Sequence, residues 1–161
     1  MSKLSFRRFR DHPEAAEVVA GWWFEQWGHE DPTGTFASTL AVLRAGEGKL
    51  LPVTVLAYLN DDLVGAAQLK AHELHAQVPA LTPWLGNVFV APEQRGAEIA
   101  AGLVAEIETL AREAGFRRLY LQTQALDGGL YARVGWQAVR RLETSHGTVM
   151  LMDRQWVITA G

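Results

Sequence analysis

The chain has 161 residues, 48% of them hydrophobic and 20% charged, which fits one domain with a real core and neither a disordered chain nor a membrane-embedded one. Fifteen basic side chains against eighteen acidic ones leave a net charge of -3, whereas a nucleic-acid binder that works through phosphate contacts carries a basic excess or a dense basic stripe. With no cysteine, disulfide frameworks, thiolate zinc sites and cysteine nucleophiles are excluded.

The predicted elements follow in chain order. Lys3 to Phe9 alternates apolar and polar residues as a half-buried strand does. Asp11-His12-Pro13-Glu14 reads as a helix start with Pro13 in its first turn, and Ala15 to Trp27 carries Val18, Val19, Trp22, Trp23 and Trp27 at helical spacing. After a polar break at Gly28 to Gly34, Thr35 to Arg44 forms a second helix. Leu50 to Leu59 and Leu63 to Leu69 form a hairpin about Asn60-Asp61-Asp62. Ala71 to Thr82 is a histidine-containing connection into a buried strand, Pro83 to Val90. Ala97 to Ala114 is the strongest helix, with Ile99, Leu103, Ile107 and Leu110 on one face and Gly115 as its stop. A strand at Arg118 to Thr123, a helix at Leu126 to Val134 and strands at Gln137 to Glu143 and Thr148 to Met152 complete the chain. Residues 1–161 are expected to form a single α/β (α+β) domain around a mixed sheet, in the order β-α-α-β-β-β-α-β-α-β-β. No apolar run reaches the length of a membrane span, and Met1 to His12 has no signal-like apolar core, so a soluble cytoplasmic protein is expected.

The stretch Val88-Phe89-Val90-Ala91-Pro92-Glu93-Gln94-Arg95-Gly96-Ala97-Glu98-Ile99-Ala100 carries the chemistry. A buried strand, a turn and a helix start aim backbone N–H groups and the positive helix end at one point, which accepts an anion such as pyrophosphate. Arg95 adds charge and Gly96 allows close backbone approach. About thirty residues on stands Gly129-Leu130-Tyr131-Ala132-Arg133-Val134-Gly135-Trp136.

Together the two elements resemble the GNAT N-acetyltransferase superfamily, where a Val-x-Pro-x-x-Arg-Gly-x-Gly-x-Gly/Ala turn precedes a helix, a strand and a Tyr-x-x-x-Gly-Phe/Trp motif. The resemblance implies the GNAT fold, a single mostly antiparallel sheet flanked by helices, with acetyl-CoA as cosubstrate and no metal. It implies that the turn from Gln94 through Arg95, Gly96, Ala97, Glu98 and Ile99 to Ala100 holds the coenzyme pyrophosphate. Val88, Phe89 and Val90 would lie beside the pantetheine arm, Gln124 would replace an amide that relatives place before the tyrosine, and Tyr131 would protonate the leaving thiolate. Attack of an amine on a thioester needs juxtaposition, an oxyanion contact, a neutral amine and a proton for sulfur, and no covalent enzyme intermediate.

Two departures from the family pattern stand out. Glu98 occupies the place of the middle glycine, where a carboxylate near a solvated pyrophosphate costs about 1 kcal/mol and more if dry. Ahead of the tyrosine, Asp127 replaces an alanine and reads as a cap beside Gly128 and Gly129. Many relatives also carry a carboxylate on the strand that here offers only Asn87. Candidates to take the amine's proton are therefore His72, Glu73, His75, Glu25, His29, Glu30 and Asp31, beside a water chain with no single essential residue. Most of Trp22, Trp23 and Trp27 should be core, with one of the three able to face a substrate cleft walled also by Thr144 to Gly147. The expected partner is a small-molecule or peptide amine, without nucleic acid or membrane, and exposed sheet edges are compatible with a homodimer. The rival reading is a catalytically weak GNAT-fold module that binds an acyl-CoA as a sensor.

Overall fold

The computed structural model describes residues 3–45, 50–74 and 77–157. Among the described residues eleven regular elements follow one another as β1 (Leu4–Arg8), α1 (Ala16–Trp27), α2 (Phe36–Ala45), β2 (Val53–Leu59), β3 (Asp62–Lys70), β4 (Trp84–Val90), α3 (Ala97–Glu113), β5 (Arg118–Thr123), α4 (Gly129–Arg133), β6 (Gln137–Thr144) and β7 (Gly147–Gln155). This is the order expected from the sequence. The strands form one seven-stranded sheet, β1-β2-β3-β4-β5-β7-β6, in which β4 and β5 are parallel and every other pair is antiparallel. Parallel neighbours need a long crossover, and α3 supplies it.

Alternation along the strands divides the core between the two faces of the sheet. Val55, Ala67, Leu69, Leu119, Leu121, Met150 and Met152 pack beneath α3, whose Ile99, Leu103, Ile107 and Leu110 form the facing stripe. On the other face Leu56, Tyr58, Ala66 and Phe89 pack against Ala16, Val19, Ala20 and Trp23 of α1 and Leu43 of α2.

Several boundaries differ from the sequence expectation. Pro13–Ala15 is a 3-10 turn and α1 proper begins at Ala16, while Val18 lies off the buried stripe and is 49% exposed. The helix expected from Leu126 shrinks to Gly129–Arg133 because Gly128 takes φ +86, a left-handed conformation that interrupts a helix. The N-cap of α4 is Gly128 rather than the expected Asp127; Asp127 stands one residue earlier and closes an Asx turn, its Oδ1 accepting a hydrogen bond from the Gly129 amide at 3.0 Å. β7 runs past Met152 because the charge of buried Asp153 is matched by Arg118 at 2.6 Å, which lets Arg154 and Gln155 continue the ladder with β5.

Candidate active site

The β4–β5 ladder contains the single pair Trp84↔Tyr120, and beyond it the two strands part. β4 also carries an extra residue against β3: Gln68 faces Gly86 while Ala66 faces Phe89, and the bulge falls at Asn87, with φ 54. A bulge shifts the alternation by one residue. Leu85, Val88 and Val90 consequently pack on the α3 side, and Phe89 on the α1 side. The bulge is held by its neighbours: Trp23 Nε1 donates to the Asn87 carbonyl at 3.1 Å, and Asn87 Nδ2 donates to Gln68 Oε1 at 3.1 Å.

Two cavities lie along this parting. The smaller, about 310 Å³, is lined by Gln26, Trp27, Val88, Phe89, Val90, Arg95, Gly96, Ala100 and Tyr131. Phe89 stacks on Trp22 with ring centroids 5.3 Å apart and meets the edge of Trp27 at 6.5 Å. Arg95 folds over it, its guanidinium 5.4 Å from the ring centroid and its Nε donating to the Val90 carbonyl at 3.0 Å. Above stands the start of α3. Gly96 caps the helix without a side-chain hydrogen bond, and the first-turn amides of Ala97, Glu98 and Ile99 have no partner inside the helix. They meet the positive end of a helix of 17 residues.

The larger cavity, about 730 Å³, is bounded by Trp27, His29 and Glu30 at the end of α1, Lys70, Glu73, Gly86 and Asn87 in the middle, Gln122 to Ala125 after the splay, and Thr144 to His146 in the β6–β7 turn. Glu73 sits deep in it, its side chain 12% exposed. Lys70 Nζ lies 3.3 Å from its Oε1, and Gln122 Nε2 donates to its Oε2 at 3.0 Å.

Tyr131, on α4, lines both cavities and packs edge-on to Trp136 at 6.3 Å. Burial, and secondarily the charge of Glu73, push its phenol from 10.0 up to about 12. It therefore keeps its proton throughout the neutral range and can donate a hydrogen bond where the cavities meet.

The acetyltransferase (GNAT) family profile matches residues 13–136, which span every element from α1 to α4. The chain belongs to the GNAT acetyltransferase family. No curated protein matches it. Solved structures share the fold at low identity. The protein yncA from Salmonella typhimurium, with its cofactor acetyl-CoA, has a TM-score of 0.75 at 16% identity over 99% of this chain and 96% of that one. An aminoglycoside 6'-N-acetyltransferase complexed with coenzyme A gives 0.74 at 16% over 98% and 99%. Ribosomal-protein-alanine N-acetyltransferase from Brucella melitensis gives 0.72 at 17% over 94% and 99%. Among the described residues no group of three or more His, Asp or Glu could hold a metal ion, and no helix is long and apolar enough to cross a membrane.

In this GNAT fold the residues singled out from sequence divide into groups. Val88, Phe89, Val90, Arg95, Gly96 and Ala100 line the smaller cavity, and Gln124 the larger one. Gln94 lines neither, and its amide is already bonded to the Ala91 carbonyl at 2.8 Å. The Ile99 side chain belongs to the core, 8% exposed, so only its amide faces outward from the helix start. Glu98 is exposed and lines neither cavity.

Of the proton-acceptor candidates, His29, Glu30 and Glu73 reach the larger cavity. Glu25 and His72 are exposed outside both linings, and His75 falls outside the described residues. Asp31 is engaged in its own turn: its Oδ1 accepts from the Thr33 hydroxyl at 2.7 Å and amide at 2.9 Å, and the hydroxyl bond first, then the amide, hold the carboxyl below its ordinary range. Trp23 is core, Trp22 is half-buried against Phe89, and Trp27 is the tryptophan that faces the cleft. Sequence reasoning missed Lys70 and Gln122. Gln122 had a signal, since it stands on a strand whose Leu119 and Leu121 face α3 at odd positions, leaving the even positions to the opposite face.

Proposed function

We propose that this GNAT protein transfers the acetyl group of acetyl-CoA to a primary amine by direct attack in a ternary complex. The observation that carries this reading is the parting of β4 and β5, with the uncapped α3 start at one end and Tyr131 facing across it. The residues fit the cosubstrate. Beyond Trp84 the β4 backbone has no strand partner toward β5, so, apart from the Asn87 and Val90 carbonyls that hold Trp23 and Arg95, its polar groups that face the gap can serve a slender polyamide arm and a thioester carbonyl. The α3 amides and Arg95 supply donors for phosphate oxygens. Acetyl-CoA brings an activated acyl group with a thiol leaving group, which removes any need for an enzyme nucleophile.

Tyr131 holds a proton for the sulfur. Full transfer from a phenol at about 12 to a thiolate of ordinary basicity is uphill by roughly 5 kcal/mol. Tyr131 therefore acts first as a hydrogen-bond donor to the developing charge, and its proton moves only as the C–S bond breaks. With Nε on the Val90 carbonyl, the Nη groups of Arg95 remain as donors for a phosphate oxygen.

Calorimetric titration with acetyl-CoA, desulfo-coenzyme A and ATP tests the reading. Saturable micromolar binding of the two coenzymes and none of ATP is expected, and absence of coenzyme binding would overturn it. Binding without transfer to any amine would leave the acyl-CoA sensor in its place.

A further inference from the structure

We propose that Glu73 seats the acceptor: the β3–β4 connection carries its carboxylate across the bare Gly86 into the cleft, where it holds a cationic primary amine beside Tyr131 as the ammonium, which gives a proton to water in the open cavity before its neutral nitrogen attacks the thioester. The proposal rests on the acetyl-transfer reading and adds the charge of the acceptor and the residues that select for it.

Glu73 bridges the sheet at the strands' parting, taking Lys70 from β3 on one oxygen and Gln122 from β5 on the other, with β4 between them. It can do so because Gly86 has no side chain. A Cβ there would collide with Glu73 Oε1 and come within 2.7 Å of Lys70 Cδ. Gly86 is thus a gap in β4 that the carboxylate fills.

Each carboxylate oxygen keeps a second acceptor site after these bonds. The carboxylate faces a cavity of about 730 Å³, so an entering ammonium replaces water at these sites and gains charge-assisted hydrogen bonds from a group already held in place by Lys70 and Gln122. Among the described residues the other charged or titratable groups lining the cavity are Glu30, Lys70, His29, His146 and Tyr131. Lys70 is engaged by Glu73 itself, and Glu30 adds a second negative charge, so the cavity suits a cation. Closeness to the reacting atoms follows from Tyr131, which lines the same cavity and feels the charge of Glu73.

A rival explanation makes Glu73 a strut joining β3 to β5 with no contact to substrate. The test measures acetyl transfer from acetyl-CoA to 1,4-diaminobutane, an amino sugar and a tripeptide with a free N-terminus. Glu73→Gln keeps an oxygen for one of the two donors and removes the charge. It is expected to lower acceptor kcat/KM tenfold or more on the best of these amines, with coenzyme Kd within twofold of the parent. Gly86→Ala should cause a similar loss by displacing the carboxylate, and should add nothing in a chain already carrying Glu73→Ala. Parental kcat/KM in Glu73→Gln, additive losses from Gly86→Ala and Glu73→Ala, or no acetylation of any of the three cations by a protein that binds acetyl-CoA would each overturn the proposal. Failure to bind acetyl-CoA is a different result, and sinks the acetyl-transfer reading itself.

Discussion

Tyr131 shows how much one residue's role depends on its surroundings. A tyrosine in a short helix is ordinarily a packing residue, and this one does pack, edge-on to Trp136. What sets it apart is its place at the junction of two cavities, with a phenol pushed up to about 12 by burial first and Glu73 second. Tyr131→Phe keeps the ring and should lower kcat tenfold or more while coenzyme affinity stays within a factor of two. An unchanged kcat would remove the hydroxyl from the reaction. The raised value also ties stability to pH. The folded state holds this proton more tightly than the unfolded chain, so the associated stability is complete below about pH 10 and is lost as pH climbs toward 12. Absorbance titration of the phenols should show a late-titrating component that disappears in Tyr131→Phe, and an identical curve for the two proteins would contradict the burial argument.

At the scale of elements, the turn into α3 separates binding from stability. Gly96 sits at φ 172, extended backbone open to any residue, and a Cβ there would meet nothing within 4 Å. Nothing in the free protein therefore requires glycine. Gly96→Ala should melt within about 2 °C of the parent, yet bind acetyl-CoA at least fivefold more weakly if phosphate oxygens approach this backbone; unchanged affinity would place the phosphates elsewhere. Glu98 is the counterpart in the same turn. Being exposed and outside the cavity linings, its charge is screened by water, and Glu98→Gln should alter coenzyme affinity less than threefold. Calorimetry on both variants checks the pair. A much tighter Glu98→Gln would mean that the carboxylate does face the phosphates.

For the whole molecule, the central feature is a sheet that is continuous yet open in its middle. β4 and β5 share one ladder pair, and α3, Glu73 and the β6–β7 turn surround the gap without closing it. A ligand seated there contacts both halves of the sheet and binds only the folded chain. At a hundredfold excess over Kd it stabilises by about 2.7 kcal/mol, which for a domain of this length raises Tm by roughly 5–10 °C. Scanning calorimetry with and without acetyl-CoA measures the shift, and a rise under 2 °C at that excess would exclude a site spanning the parting.

Local pattern determined the elements and their order, because strand alternation, the α3 stripe and the turn residues are interactions between near neighbours in sequence. It also marked the Val88 to Ala100 segment and Tyr131, whose residue types and spacing carry the family resemblance. The outcomes that depended on distant partners were decided by the tertiary structure. Asp153 extends β7 because Arg118 lies 2.6 Å away on another strand, and Gly128 cuts α4 short through a backbone conformation that a helical apolar pattern does not reveal. Glu73 stood in the sequence as one of seven candidates. Folding set it apart, since only the assembled sheet places Gly86 beneath its carboxylate, Lys70 and Gln122 on either side, and Tyr131 in the same cavity. The physical reason is range: a stripe or a cap is satisfied within a few residues, whereas a site built at the parting of two strands exists only once the crossover helix has brought those strands together.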